Sequence, residues 1–345
     1  MRAAQTLSER YRAERLDQSK PLATGRAETL GYAALILPAT YAQLYGAMAA
    51  TAVRIRNWTP TTLLDIGSGP GTAFWAATTI WPSLKSLVAW ERESAFIALG
   101  QELARGSQTT AIRSARWERV DLRQLPPAPQ QRFDLVVLGH VLNELSSELQ
   151  RVVIDYAWQL TGGVLLLVEP GTSAVFPGVR AARDQLLQAG AHTIAPCAHD
   201  ANCPLVDDWC HFPQRLKRPD FQRRARGAPS EWEDSKFSYM AMARFAADQP
   251  IWGRAIREAT SNKAYAEIML STQTDVARYR ALKRHREAYR QVRAIEWGDV
   301  LAAPLTELIA PVAEDRRPVQ GLPTDDQVNS QAAGNNTSEN PDPAL

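Results

Sequence analysis

Apolar residues recur at two different spacings. Up to about residue 58 they fall three and four apart, as in "ALILPATYAQLYGAMAATAVRI", which predicts helices. Pro38 is placed to open the second of these, and "ERYRAERL" upstream reads as an exposed amphipathic turn. The texture then changes to short apolar runs of strand length: "TTLLDIG" (61–67), "SLVAWE" (86–91), "RWERVDL" (116–122), "FDLVVLG" (133–139) and "GGVLLLVEP" (162–170). Helical stretches at 72–81, 94–105 and 143–160 lie between them, and another follows at about 174–189. Near-continuous apolar strands alternating with helices predict an α/β fold, a parallel sheet covered on both faces.

Beyond residue 190 the pattern loosens. "KFSYMAMARF" (236–245) and "KAYAEIML" (263–270) read as two more strands, expected to pair as an edge of the same sheet. Residues 275–295 read as a basic helix. From about 311 the chain is Pro, Asn, Ser and Asp with few large apolar residues, so 311–345 is expected to be a disordered tail. The expected organisation is a helical region at 1–58, a core at 59–190, a cysteine-bearing and basic insertion at 191–235, and remaining strands with a basic helix at 236–305. With 345 residues and 45% apolar content the chain can bury a sizeable core. Net charge is +2, so contact with nucleic acid must come from local patches. No apolar run reaches the ~18–20 residues that span a bilayer. The start mixes Glu9, Glu14 and Asp17 among arginines, unlike a signal or transit peptide, so a cytoplasmic protein is the expectation.

"LLDIGSGPGTA" joins a strand, an acid and three glycines: Asp65, Gly67, Gly69 and Gly71. Such a turn tolerates positive φ and lets the backbone approach a ligand at the N-terminus of the next helix. The spacing is not the G-x-G-x-x-G of a dinucleotide fingerprint. It resembles motif I of the Rossmann-like class I S-adenosylmethionine-dependent methyltransferases. That resemblance implies a mostly parallel seven-stranded sheet, with Asp65 facing the methionine part of the cofactor. Glu91, closing the second strand, would accept the ribose hydroxyls. Asp121, after the third, would contact the adenine. "LGHVLNEL" follows the fourth strand and puts His140, Asn143 and Glu144 where substrate and cofactor would meet. No familiar catalytic signature accompanies them, and no cysteine precedes residue 197 to serve as a cytosine-5 nucleophile.

All three cysteines, Cys197, Cys203 and Cys210, fall in "PCAHDANCPLVDDWCHF", with His199 and His211. Their spacing is neither a zinc ribbon nor a thioredoxin motif. Three thiols clustered in a polar segment point to a metal or cluster: zinc with a histidine as fourth ligand, or an iron–sulfur cluster. "DIGSGPGT", "HVLNEL", "VEPGT", "CAHDANCPLVDDWCHFPQRLKR", "LPATYA" and "AYRQVRAIEWGD" together resemble the ribosomal small-subunit methyltransferase-like family. That family includes bacterial proteins and a mitochondrial small-subunit assembly factor, and the resemblance covers nearly all of 7–300. It implies S-adenosylmethionine, a four-cysteine [4Fe–4S] cluster, and partners in the small ribosomal subunit and its rRNA. The fourth family cysteine falls on Ser271 in "EIMLSTQ", and a hydroxyl is a far poorer iron ligand than a thiolate. A [3Fe–4S] cluster, Zn²⁺, or ligation by Ser271 or a histidine are the alternatives.

Two basic segments are the expected RNA contacts. Residues 211–226 carry Arg215, Lys217, Arg218, Arg223, Arg224 and Arg226 against Asp220. Residues 276–293 carry Arg278, Arg280, Lys283, Arg284, Arg286, Arg290 and Arg293 against Glu287. The expected function is methyl transfer during small-subunit assembly, by a protein working without a membrane and as a monomer. A non-catalytic RNA-binding assembly factor is the alternative from a different class, and a small-molecule methyltransferase is a third.

Overall fold

The computed structural model describes residues 25–127 and 131–319; the turn expected in "ERYRAERL" and the chain beyond 319 lie outside them. Helices α1 (Arg26–Leu35) and α2 (Leu37–Ala52) come first, with Pro38 in the opening turn of α2, where its missing N–H costs nothing. An alternating series follows: β1 (Thr62–Ile66), α3 (Thr72–Ile80), β2 (Ser86–Glu91), α4 (Ser94–Arg105), α5 (Thr110–Arg113), β3 (Arg116–Arg119) and β4 (Phe133–Gly139). After a 3-10 turn (Leu142–Glu144) come α6 (Ser147–Leu160), β5 (Thr161–Pro170), α7 (Phe176–Gln188), β6 (His192–Ala195), β7 (Phe212–Lys217), α8 (Asp220–Arg226) and β8 (Trp232–Ala243).

These strands form one sheet in the order β3-β2-β1-β4-β5-β8-β6, with β7 as an eighth strand on β8. Strands β1 to β5 are parallel, and β8 runs antiparallel to β5, β6 and β7. The order reverses between β1 and β4, and an antiparallel strand sits between β5 and β6. This is the Rossmann-like methyltransferase arrangement the sequence predicts. The segment at 191–235 is not a module apart from it, since it supplies β6, β7, α8 and the start of β8.

The two-residue period of the strands divides the core between the faces. Leu63, Leu135, Val137, Leu166 and Ala241 pack with Leu44, Met48 and Phe74 of α2 and α3. Leu64, Val136, Leu138, Leu165, Leu167 and Met240 pack with Val153, Ile154, Val179 and Leu186 of α6 and α7. Among the described residues no single helix is long and apolar enough to cross a membrane; α1 and α2 pass that test only as a pair bent by 50°.

Three expectations are corrected. Only 236–245 joins the main sheet. Residues 263–270 fall in β11 (Tyr265–Thr272), part of a second, antiparallel sheet with β9 (Gly253–Ala255), β10 (Thr260–Ser261) and β12 (Asp275–Leu282). The edges of β11 are taken by β9, β10 and β12, which leaves it no free edge for the first sheet. The supposed helix at 275–295 is β12 followed by α9 (Arg286–Ala294). Ala277, Tyr279 and Ala281 are buried while Arg278 and Arg280 between them are not, a period of two that marks a strand. The tail is ordered further than expected. After β13 (Val300–Leu301), strands β14 (Ile309–Pro311) and β15 (Arg317–Pro318) both pair with β12, so the chain stays on the second sheet as far as 318, with a 3-10 turn (Ala313–Asp315) between the two strands.

Candidate functional site

The glycine loop turns from the end of β1 into α3. Gly67 and Ser68 both donate to the Trp90 carbonyl, at 2.8 and 3.0 Å, which ties the loop to the end of β2. Gly67, Gly69 and Gly71 have φ of 68°, 53° and 77°. At two of these a side chain is also excluded by space. A Cβ at 67 would come within 2.5 Å of Val141, and one at 71 within 2.6 Å of the Trp117 ring. At 69 the nearest atom would be the Tyr32 hydroxyl at 3.8 Å, so this glycine presents open backbone to the cleft.

The cleft lies beyond the carboxyl ends of β1, β2 and β4, the ligand-binding edge of open α/β sheets. It encloses about 1130 Å³, counting space open to solvent. Asp65, Gly67, Gly69, Glu91, Asp121, His140 and Glu144 all line it; Gly71 stands just behind, as the residue preceding α3. The sequence therefore brings nearly all of its predicted cofactor residues to one place. Asp65 is buried, and its Oδ2 has no hydrogen-bond partner among the described residues. Burial, then the neighbouring Glu91, pushes its carboxyl up to about 8. Glu91 accepts from Gly69 N–H at 2.7 Å and from Glu93 N–H at 2.8 Å. Burial raises its pKa, partly offset by these N–H donors. Each of its oxygens keeps a lone pair for a ligand hydroxyl. Asp121 lies two residues beyond the end of β3, where Arg123 Nε sits 2.9 and 3.1 Å from its two oxygens. That contact holds its carboxyl below the usual range.

The turn after β4 carries the other three predicted residues. His140 has φ of 60°, a left-handed conformation uncommon outside glycine and characteristic of functional turns. Its Nε2 is 2.6 Å from Gln43 Oε1. Gln43 in turn donates to Ser235 Oγ (2.7 Å) and the Lys236 carbonyl (3.3 Å). With the amide N committed to those acceptors, Oε1 must accept, so His140 carries its proton on Nε2 and leaves Nδ1 as the acceptor. Burial lowers its pKa to about 4, so the ring is neutral. Glu144 is pushed up to about 8 by burial and then by Glu91 and Glu169. Asn143 does not line the cleft. It faces the hollow between α6 and α7, where its amide, turned so that N meets acceptors, donates to the His140 carbonyl (3.1 Å) and Glu169 Oε2 (3.0 Å).

Sequence reasoning missed the groups that hold this turn and roof the cleft. Glu169, within "VEPGT", is fully buried and accepts from the N–H groups of Val141 (2.9 Å), Leu142 (2.8 Å) and Asn143 (3.3 Å). Burial pushes it up to about 7. An acid ending a wholly apolar strand was the available signal, since such a group needs donors. Tyr32 of α1 and Phe96 of α4 meet edge to face at 4.9 Å and line the cleft together. No local pattern marks them, because their meeting depends on how α1 packs.

The cysteines gather around a second, smaller cavity of about 310 Å³. Cys197, Cys203 and Cys210 line it together with His199, Ile256, Val276 and Ser271. Ser271 comes from β11, more than 60 residues downstream of Cys210, so the cavity joins the two sheets. All three thiols are free. Burial, then Cys197, pushes Cys203 up to about 11, and burial likewise raises Cys210. Buried or half-buried arginines hold the surrounding loop by its carbonyls. Arg183 donates to His199 O (2.7 Å) and Ala201 O (2.8 Å), Arg254 to Pro196 O (2.8 Å), and Arg257 to Trp209 O (2.7 Å). His199 Nε2 is buried without a partner among the described residues. Among those residues no three His, Cys, Asp or Glu side chains stand in a metal-holding arrangement, so the expected metal-bearing insertion is present here only as a cavity shared by thiols.

Comparison with known proteins bears on both places. Human "Ribosome assembly protein METTL17, mitochondrial" is 32% identical over 268 residues, which is 72% of this chain and 57% of that protein. "Rsm22-cox11 tandem protein 2, mitochondrial" of Schizosaccharomyces pombe (strain 972 / ATCC 24843) is 27% identical over 244 residues, 63% of this chain and 32% of that protein. The chain thus spans little more than half of the first relative and a third of the second. Among solved structures, the magnesium protoporphyrin IX methyltransferase (ChlM) from Synechocystis PCC 6803 with bound SAH aligns at TM-score 0.41 and 12% identity. That alignment covers 70% of this chain and 95% of that one. Strand order, rather than so remote a likeness, carries the fold. The family model described as "Mitochondrial small ribosomal subunit Rsm22" matches residues 26–302, from α1 to β13. That span takes in the glycine-loop cleft and the cysteine cavity together, and the chain belongs to the Rsm22 family.

Proposed function

We propose that the protein binds S-adenosylmethionine in the glycine-loop cleft and acts as a methyltransferase-like factor in assembly of the small ribosomal subunit. Asp65 carries the cofactor half of this proposal. A buried carboxyl with an unpartnered oxygen, kept largely protonated by its surroundings, is satisfied by a cationic ligand, and S-adenosylmethionine carries an ammonium and a sulfonium. Gly69 offers open backbone beside it, and Glu91 keeps acceptors for the ribose hydroxyls. Asp121 also lines the cleft and would contact the adenine. Bound there, the cofactor supplies an electrophilic methyl group. The small-subunit half rests on family membership, and an rRNA or ribosomal-protein partner belongs to the proposal.

A second role, assembly without methyl transfer, is favoured by the turn after β4. His140 commits Nε2 to Gln43, and Asn143 faces away from the cleft, so only two of the three projected substrate groups line it and one of these, His140, is already engaged. Titration calorimetry with S-adenosylmethionine and S-adenosylhomocysteine tests the cofactor site, and absence of binding in the folded protein overturns it. Radiolabelled methyl transfer to assembling small subunits then separates the two roles.

The cysteine cavity supports a metal group as part of the same proposal. Three thiols and the Ser271 hydroxyl face one space, and cationic arginines around it suit an anionic centre. Cys197, Cys203 and Cys210 would hold an iron–sulfur cluster or zinc, with Ser271 or His199 as the further ligand. Anaerobic purification with iron, sulfide and zinc analysis tests this. Metal-free folded protein would mean that the cavity is only a packing defect between the sheets.

A further inference from the structure

The two basic segments look alike in the sequence and differ in the structure by degree: four of the six cations of the first are paired, with Arg215 over the Trp232 ring and Arg224 exposed, against three of the seven in the second. In the first, Arg218 and Arg226 pair with Glu233 at 3.0 and 3.2 Å, Arg223 with Asp220 at 2.8 Å, and Lys217 with Glu231 at 3.3 Å. In the second, the strand residues Arg278 and Arg280 both reach Glu267. Of the cations at the helix, all but Arg290 are left over. Lys283, Arg284, Arg286, Arg290 and Arg293 are all exposed, and Glu287, the single acid among them, pairs with Arg290.

Their arrangement follows from how α9 packs. Ala288 and Val292 are buried in the core of the second sheet. Arg286, Arg290 and Arg293 are spaced four and three apart, on the opposite face, and run along about 10.5 Å of the helix at ~1.5 Å per residue. Tyr289 donates to the Asn262 carbonyl at 3.0 Å, and Lys283 N–H donates to the Ala264 carbonyl at 2.8 Å. These bonds bring the turn carrying exposed Lys263 to the same end of the helix. Tyr289 also lies under the Arg293 guanidinium at 5.9 Å. The result is a row of cations on a rigid support, with few acids to neutralise it and an aromatic ring set into it.

We infer that this ridge, Lys263 and Lys283 to Arg293, binds the phosphate backbone of RNA, and that it rather than the segment at 211–226 is the protein's electrostatic contact with RNA. The inference rests on the small-subunit role proposed above and goes beyond it by assigning the surface. Evenly repeated charge along one helix face complements a polyanion whose charges repeat along a strand. Cations already paired to carboxylates, as Arg218, Arg223 and Arg226 are in the first segment, have fewer counterions to release.

The test uses the full chain and a fluorescein-labelled RNA hairpin, read by anisotropy over a salt series. The variant Arg286→Glu/Arg290→Glu/Arg293→Glu should bind at least roughly tenfold more weakly at low salt. Its log–log salt slope should be shallower by about 0.7–0.9 for each phosphate that the variant no longer neutralises. The lysine counterpart at the same three positions should keep most of the affinity, and Arg218→Ala/Arg226→Ala should keep the wild-type slope. Unchanged affinity for S-adenosylhomocysteine shows that the variants are folded. If the glutamate variant keeps the wild-type slope, the ridge is wrong while the small-subunit role stands. If the wild-type protein binds no RNA at low salt, the RNA contact itself fails. If polyglutamate of equal charge competes as well as unlabelled RNA, the ridge docks an acidic protein segment and the inference is overturned.

Discussion

Asp65 shows how one residue links fold to ligand. Burial favours its neutral form, so its contribution to folding is complete below the ordinary value of 3.8 and is lost as pH rises through about 8. A cation bound beside it reverses the preference and drives the proton off. Affinity for S-adenosylmethionine should therefore increase as pH climbs toward about 8, by up to roughly tenfold per unit. Calorimetry in buffers of different ionisation enthalpy should detect the released proton, and Asp65→Asn should abolish both the release and the pH dependence. The glycines separate two costs in the same way. Gly67→Ala meets a positive φ and a Val141 methyl group 2.5 Å away, and should cost roughly 2–4 kcal/mol in urea unfolding. Gly69→Ala meets the backbone cost alone, about 1–2 kcal/mol, but should weaken cofactor binding more.

Among elements, the turn from His140 to Glu144 is held only in part by its own backbone, where Glu144 N–H donates to the Val141 carbonyl at 3.1 Å. Its N–H groups converge on Glu169, which reaches them from the end of the neighbouring β5. Glu169→Gln replaces one acceptor oxygen with a donor facing backbone N–H groups. It should cost about 1–3 kcal/mol and raise hydrogen exchange at Val141–Asn143, leaving the sheet core protected. If exchange there is unchanged, Glu169 does not hold the turn. Legibility from the sequence also varies by element. β1, β2, β4 and β5 are plain because a parallel strand buried on both faces must be apolar throughout. β12 misleads because "ARYRAL" alternates small and charged residues, and its arginines suggest a helix when charge is weighed ahead of period.

The whole molecule is two sheets joined at the cysteine cavity. Cys197, Cys203 and Cys210 lie on the segment leaving the first, and Ser271 lies on β11 of the second. A thiol at 271 would complete four sulfur ligands drawn from both. Ser271→Cys should therefore raise the metal retained after anaerobic purification and raise the melting temperature, measured on the same preparation. Equal metal content in variant and wild type would mean that residue 271 is not a ligand position. Removing the metal with a chelator should lower the melting temperature of the variant more than that of the wild type, because the group would then tie one sheet to the other by a fourth bond.

Order along the chain is enough to recover the strand–helix alternation, the glycine loop, the acids at the strand ends and the clustering of thiols. Each depends on neighbours within a few residues: the period of burial, the φ a turn demands, the composition of one loop. The approach of Ser271 to the cysteines, the roof that Tyr32 and Phe96 make over the cleft and the tautomer that Gln43 imposes on His140 cannot be read that way. They join positions tens to nearly two hundred residues apart, and such contacts are set by how sheets and helices pack, which local periodicity does not encode.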